Sequence, residues 1–238
     1  MKKVILSLAV GCILISGCSP NYYIPNTQNV PLISEKGEVN ITVATVQNQL
    51  DFQGAYGLTD KIALQANGSV FFNKNDNEGD GGSGKYFEIG GGYFKPVANG
   101  YVFETYGIIG FGNMENHFPS SVSTNPQTTG DISANMMRFG IQPSFGYKSR
   151  YFSAAVSSRF VNLNYSNIKG DLIFAEENQV DYLNANKSNF LIEPALTLRG
   201  GLDKIKLQVQ IGSSINLSND DFRQDNNYVT IGLNFNLR

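Results

Sequence analysis

Ile62-Ala63-Leu64-Gln65-Ala66-Asn67-Gly68-Ser69-Val70 decides the fold. Ile62, Leu64, Ala66, Gly68 and Val70 fall on one side of an extended chain, and Ala63, Gln65, Asn67 and Ser69 on the other. A period of two marks a β-strand with two unlike faces, because successive side chains point to opposite sides of the pleat. The pattern starts at Gly37, where Val39, Ile41 and Val43 alternate with Glu38, Asn40 and Thr42, and continues with Leu50, Phe52, Gly54 and Tyr56 on one face. It returns over 85–94, 101–112, 135–147, 151–164, 188–199, 204–215 and 227–237. No stretch keeps a 3.6-residue period long enough for a full helix, although Leu172 to Asn178 has room for one turn inside a loop.

These runs predict an all-β fold, a ten-stranded antiparallel up-and-down transmembrane barrel over 37–238. The count is even, and each run is close to the roughly 9–11 residues that a tilted strand needs to cross a bilayer. Eight strands is the alternative, if 38–57 pairs differently. Short connections (58–61, 95–100, 148–150, 200–203) alternate with long ones (73–84, 113–134, 165–187, 216–226), and 47–49 is the one short connection among the long. Apart from 47–49, the short turns therefore fall at one end, as the periplasmic turns of such barrels do.

The chain opens on Met1-Lys2-Lys3, followed by an apolar run to Ile15 that is too short to span a bilayer. This is the pattern of a secretory signal. Its end, Ile15-Ser16-Gly17-Cys18, resembles the bacterial lipobox, which implies cleavage after residue 17 and a lipid on Cys18. No acidic pair follows Cys18, which favours an anchor in the periplasmic leaflet of the outer membrane. Residues 18–36 carry Pro20, Pro25 and Pro31 and read as an extended tether from lipid to barrel. Both chain ends, Cys18 included, are then expected on the periplasmic, short-turn side, with the long loops extracellular.

Cys12 leaves with the signal, so Cys18 is the one cysteine of the mature sequence and forms no internal disulfide. Lys2 and Lys3 leave too, so 16 of the 18 basic residues face 20 acidic ones, a balance that argues against a nucleic-acid partner. Trp is absent and only 16% of residues are charged. The face opposite the apolar one carries Gly, Ala, Ser, Asn and Gln (among them Gln65, Gly90, Gln142, Ser157 and Gln210) where a soluble barrel would show Lys and Glu. Such residues suit a narrow lumen. Phe71, Phe72, Tyr86, Phe94, Tyr101, Tyr147, Tyr151 and Phe160 lie near run ends and read as interfacial aromatics of the outer face. A lipid-anchored periplasmic barrel of lipocalin type, holding an apolar ligand, is the alternative.

Thr230, Gly232, Phe235 and Leu237 of the last run match polar-x-Gly-x-x-apolar-x-apolar and resemble the C-terminal signal read by the barrel-assembly machinery. Residues 18–238 as a whole resemble the small outer-membrane β-barrel proteins of Bacteroidetes-type bacteria, including a lipobox-bearing set. The stretches Tyr23-Ile24-Pro25-Asn26-Thr27, Val30-Pro31-Leu32, Glu35-Lys36-Gly37-Glu38 and Ile192-Glu193-Pro194-Ala195-Leu196-Thr197 carry that resemblance. It implies outer-membrane lipid, barrel-assembly and lipoprotein-sorting machinery as partners. About function it implies little beyond a structural, surface-binding or limited solute-passage role.

Glu88, Glu104, Arg138, Arg159, Glu193, Arg199 and Lys206 fall on the presumed lumen face, where mixed charges predict a ladder of ion pairs that fills the lumen or gates it. Gly79 to Lys85 matches GxGxxG, yet a strand rather than a helix follows, which excludes the phosphate site of that motif. Asp76 to Gly81 resembles half a calcium loop, but Phe87 stands where the bidentate Glu belongs. His117, the sole histidine, follows Glu115 by two residues, and neither HExxH nor GxSxG occurs. A membrane-barrel hydrolase is thus the second functional class, and no cofactor, metal or catalytic residue is expected. The acidic residues of the long loops (Glu176, Glu177, Asp181, Asp220, Asp221, Asp225) mark a surface where a host or polymer ligand could bind.

Overall fold

A computed structural model describes residues 20–46, 48–72, 81–118 and 129–237. Ten strands form one antiparallel sheet that closes on itself. They are β1 (Val39–Val46), β2 (Gln49–Gly57), β3 (Ile62–Phe71), β4 (Gly81–Pro96) and β5 (Tyr101–Phe118). After them come β6 (Gly130–Lys148), β7 (Phe152–Gly170), β8 (Ser188–Gly201), β9 (Ile205–Ser213) and β10 (Asn227–Leu237). Each pairs with its neighbour in sequence, and β10 closes the ring on β1 with Val39 opposite Leu237. Closure matters in hydrocarbon, where a free sheet edge would leave N–H and C=O groups without partners. The eight-strand alternative fails because β1 and β2 pair in full register, from Val39–Tyr56 to Val46–Gln49.

The faces divide by chemistry. Ile41, Phe52, Leu64, Phe87, Ile89, Phe111, Phe139, Ile141, Leu207 and Ile231 point outward and exposed. Gln65, Asn67, Glu88, Gln142, Arg159, Gln208 and Gln210 point inward and buried. That inverts a soluble barrel and excludes the lipocalin-type alternative, since the lumen is polar. On β5 the outward series runs Tyr101, Phe103, Ile109, Phe111 and then changes to Asn113, Glu115 and His117. On β6 it runs Asp131, Ser133, Asn135 and then Met137, Phe139, Ile141, Phe145. The apolar band is therefore about 11 residues tall on both strands, from Tyr101 to Phe111 and from Met137 to Tyr147, the height that a tilted strand needs to cross a bilayer.

β4 to β7 are 16 to 19 residues long and run past that band toward the long loops. The expected loops at 81–84, 113–118, 130–134 and 165–170 are thus strand. Pairing continues there although the outward face has become polar, so the period-two contrast that marks a strand fades from the sequence. Two expected outer aromatics, Tyr86 and Phe94, face the lumen instead, in phase with Glu88 and Gly92 on β4. Tyr101 and Tyr151 are exposed on the short-turn side as expected, and Tyr101 stacks on Phe145 with centroids 5.5 Å apart.

The connection after β7 holds a small hairpin (Ile173–Phe174 with Glu177–Asn178) and a helix, α1 (Gln179–Ala185). The helical turn expected at 172–178 lies one step later, because Asn178 caps it. Its side-chain oxygen accepts from the N–H groups of Val180 and Asp181, which leaves Asn178 itself outside the helix.

Candidate functional site

Residues 20–36 are extended, as their prolines demand, but they are no outside tether. They run through the lumen. Tyr22, Tyr23, Asn26, Thr27, Gln28, Asn29, Val30, Leu32 and Ile33 are all at most 5% exposed. No residue from Pro20 to Ser34 is charged, so the segment enters a polar, enclosed space without stranding a charge. Pro20, Pro25 and Pro31 lack N–H groups, which removes three donors that would otherwise need partners.

The direction is set at both ends. At the long-loop end the Tyr22 N–H donates to the Arg223 carbonyl at 2.9 Å, and the Asp225 N–H donates to the Tyr23 carbonyl at 2.9 Å. The Tyr22 ring lies against Tyr182 and Phe222, and its hydroxyl donates to Gln179 Oε1 at 2.7 Å. Arg223 is held between the rings of Phe174 and Tyr182, 4.8 and 4.5 Å from their centroids, and pairs with Glu177 at 3.0 Å. These loops therefore fold over the segment as a cap. At the short-turn end the Ser34 N–H donates to Glu38 Oε2 at 2.8 Å, and Lys148 pairs with Glu38 and donates to the Leu32 carbonyl. Gly37, at φ +83°, then turns the chain into β1.

Between the ends, the lumen charges grip the segment. Arg138 pairs with Glu88 at 2.8 Å and lies 4.0 Å from Glu193. Arg159 Nε lies 2.7 Å from Glu193 Oε2, an ion-pair contact that is not aligned as a hydrogen bond. The Asn26 side-chain oxygen accepts from Arg138 at 2.9 Å and from Arg159 at 2.8 Å, and its carbonyl accepts from Arg159 at 2.8 Å. The Tyr23 hydroxyl donates to Glu193 at 2.6 Å and accepts from Arg138. Glu104 accepts the N–H groups of Leu32 and Ile33, at 3.0 and 2.7 Å. Leu32 adopts φ +53°, which turns two successive N–H groups toward one carboxylate in the manner of a backbone nest. Gln28 and Asn29 are bonded to Gln210, Ser157, Asn67 and the Gln142 side chain.

Glu88, Arg138, Arg159 and Glu193 thus form one cluster around Tyr23 and Asn26. Glu104 and Arg199 stand apart from it and bind the segment's backbone, Arg199 through the Val30 carbonyl at 2.7 Å. Lys206 donates to the Asp203 carbonyl at 3.2 Å, toward the short-turn mouth. The expected ladder is therefore a set of clamps on an inner strand of chain. Of the C-terminal signal, Thr230 and Gly232 face inward, whereas Phe235 and Leu237 face outward. His117 sits on the outer wall beyond the apolar band, beside Asp131 of β6. Cys18 lies outside the described residues, as do most of the calcium-like loop and the first residues of the GxGxxG match.

A closed sheet with an apolar outside, a polar inside and its own chain filling the centre defines a plugged barrel of the outer-membrane type. No protein-family model and no curated protein matches the sequence. The fold is similar to the translocator domain of the autotransporter NalP from Neisseria meningitidis, at 10% identity and TM-score 0.44, covering 83% of this chain and 86% of that one. It is also similar to LpxR from Salmonella typhimurium, at 11% identity and TM-score 0.37, covering 84% of this chain and 99% of that one. Likeness at this level says nothing of ligand or activity.

Proposed function

We propose that the chain is an outer-membrane β-barrel lipoprotein whose lumen is closed by its own N-terminal segment, with a structural or surface-binding role. The observation that carries this reading is the burial of Tyr22 to Ile33 inside the barrel with hydrogen bonds to the wall along its length. A filled lumen disfavours solute passage. The lipid on Cys18 and the barrel-assembly and sorting machinery as partners belong to the same proposal, supported by the lipobox and by the pattern in β10. The full chain in a planar bilayer should show no steady conductance. Stable open steps from the wild-type protein would overturn the closed-lumen reading. Loss of metabolic acyl label in Cys18→Ser checks the anchor, and an unchanged label would remove it.

A further inference from the structure

We propose that the mature N-terminus, with the lipid of Cys18, lies at the cell surface, and that the lipid enters the outer leaflet of the outer membrane. This rests on the reading of the chain as an outer-membrane barrel lipoprotein. It reverses the expectation that Cys18 and the short turns share a side.

Three observations carry it. The segment crosses the barrel once, from Tyr22 among the long loops to Ser34 at the short turns. Asn21 is already beyond the apolar band. Its carbonyl accepts from Asn116 Nδ2 at 3.0 Å, and Asn116 lies five residues past Phe111, the last apolar outward residue of β5. The covalent distance settles the side. Cys18 is two residues from Pro20, a reach of about 7 Å at full extension. The hydrocarbon core is about 30 Å thick. With Pro20 at the long-loop end, Cys18 cannot return to the periplasmic leaflet.

The outer leaflet is within reach. The rim of the barrel is uneven: β4 to β7 stand high, whereas β1 and β2 are joined by a tight connection after 8 and 9 residues. Asn21 Nδ2 donates to Asp225 Oδ1 at 2.5 Å, and Asp225 precedes β10, the neighbour of β1. The chain therefore leaves the lumen between Asn116 of β5 and Asp225 before β10, with the lower wall of β1 and β2 on the Asp225 side.

The test places one short epitope in three versions of the full-length chain: between Ser19 and Pro20, in the 119–128 connection, and in the 202–204 turn. Antibody binding to intact cells is compared with binding after permeabilisation, on proteins whose heat-modifiable gel shift shows a folded barrel. The epitope at 19/20 should react on intact cells as fully as that at 119–128, with the 202–204 epitope silent until permeabilisation. Silence at 19/20 while 119–128 reacts would overturn the proposal. Silence at 119–128 with reaction at 202–204 would instead sink the assumed orientation of the barrel. As a check that does not disturb the segment with an insertion, Tyr23→Cys with Gln224→Cys joins two bridge-paired residues and should cross-link under mild oxidation. A folded double variant that does not cross-link also overturns the threading.

Discussion

Asn26 places one amide oxygen between two guanidinium groups, and this makes it the most exacting residue of the segment. Asn26→Ala would leave two buried cations short of an acceptor, at about 1–3 kcal/mol for each unmet donor. The temperature at which the folded band converts on a gel should fall clearly below that of the wild type, and an unchanged temperature would show that the clamp contributes nothing. Glu193→Gln should lower that temperature by a comparable amount, since breaking a buried pair leaves an uncompensated charge worth roughly 3–5 kcal/mol. Gly146→Leu tests packing rather than charge, because a Cβ there would come within 2.7 Å of Ala155 Cβ and 2.8 Å of the Ala154 carbonyl on the wall and 2.9 Å of Leu32 Cδ2 on the segment, and the temperature at which the folded band converts should fall. Glu38 lies before β1 at the short-turn mouth. Burial pushes its carboxyl up, but the Lys148 ammonium and the Ser34 donors outweigh this and hold it below its usual range. A depressed folded value adds stability that is present above the unfolded pKa of about 4.3 and is lost as pH falls through the folded value. Amide exchange at Ser34 should therefore be insensitive to this group at neutral pH and speed up in excess of its intrinsic rate below the ordinary carboxylate range.

At the scale of elements, the strands were legible because one side of each faces lipid and the other a polar lumen. Ile62 to Val70 shows that contrast, and so does β10. It vanished where the wall leaves the membrane, so Asn113 to Phe118 read as loop. The lumen charges were legible for the same reason: Arg138 and Glu193 fall in phase with small polar residues. What they hold was not. Prolines and amides from Pro20 to Asn29 fit a solvated tether as well as an inner segment, and alternation says nothing about a piece that forms no strand. The missed signal was the lack of any charge from Pro20 to Ser34 beside the adjacent Tyr22 and Tyr23, since a chain destined for water has no reason to avoid Lys and Glu over that length. Replacing Asn26 to Asn29 with alanines should loosen the segment and produce intermittent conductance absent from the wild type. Asn178→Ala should fray α1 at about 1 kcal/mol and speed proteolysis within 171–187, with the barrel's gel shift unchanged.

For the whole molecule, wall and filling are one chain, joined at Gly37 and closed where β10 meets β1. Gly232 sits at that seam, and a Cβ there would meet the backbone of Ala44 at 2.8 Å, so Gly232→Val should hinder closure and raise the share of unfolded protein at the membrane. The order of assembly follows from the same geometry. A segment bonded to the wall along its length and covered by the long loops cannot be drawn through a lumen that side chains already crowd, so it has to lie in place before the seam shuts. The finished object is a thread inside a ring, spliced into the ring at one end and stoppered at the other. β10, where it meets β1, is then the clasp that makes residues 20–36 impossible to withdraw.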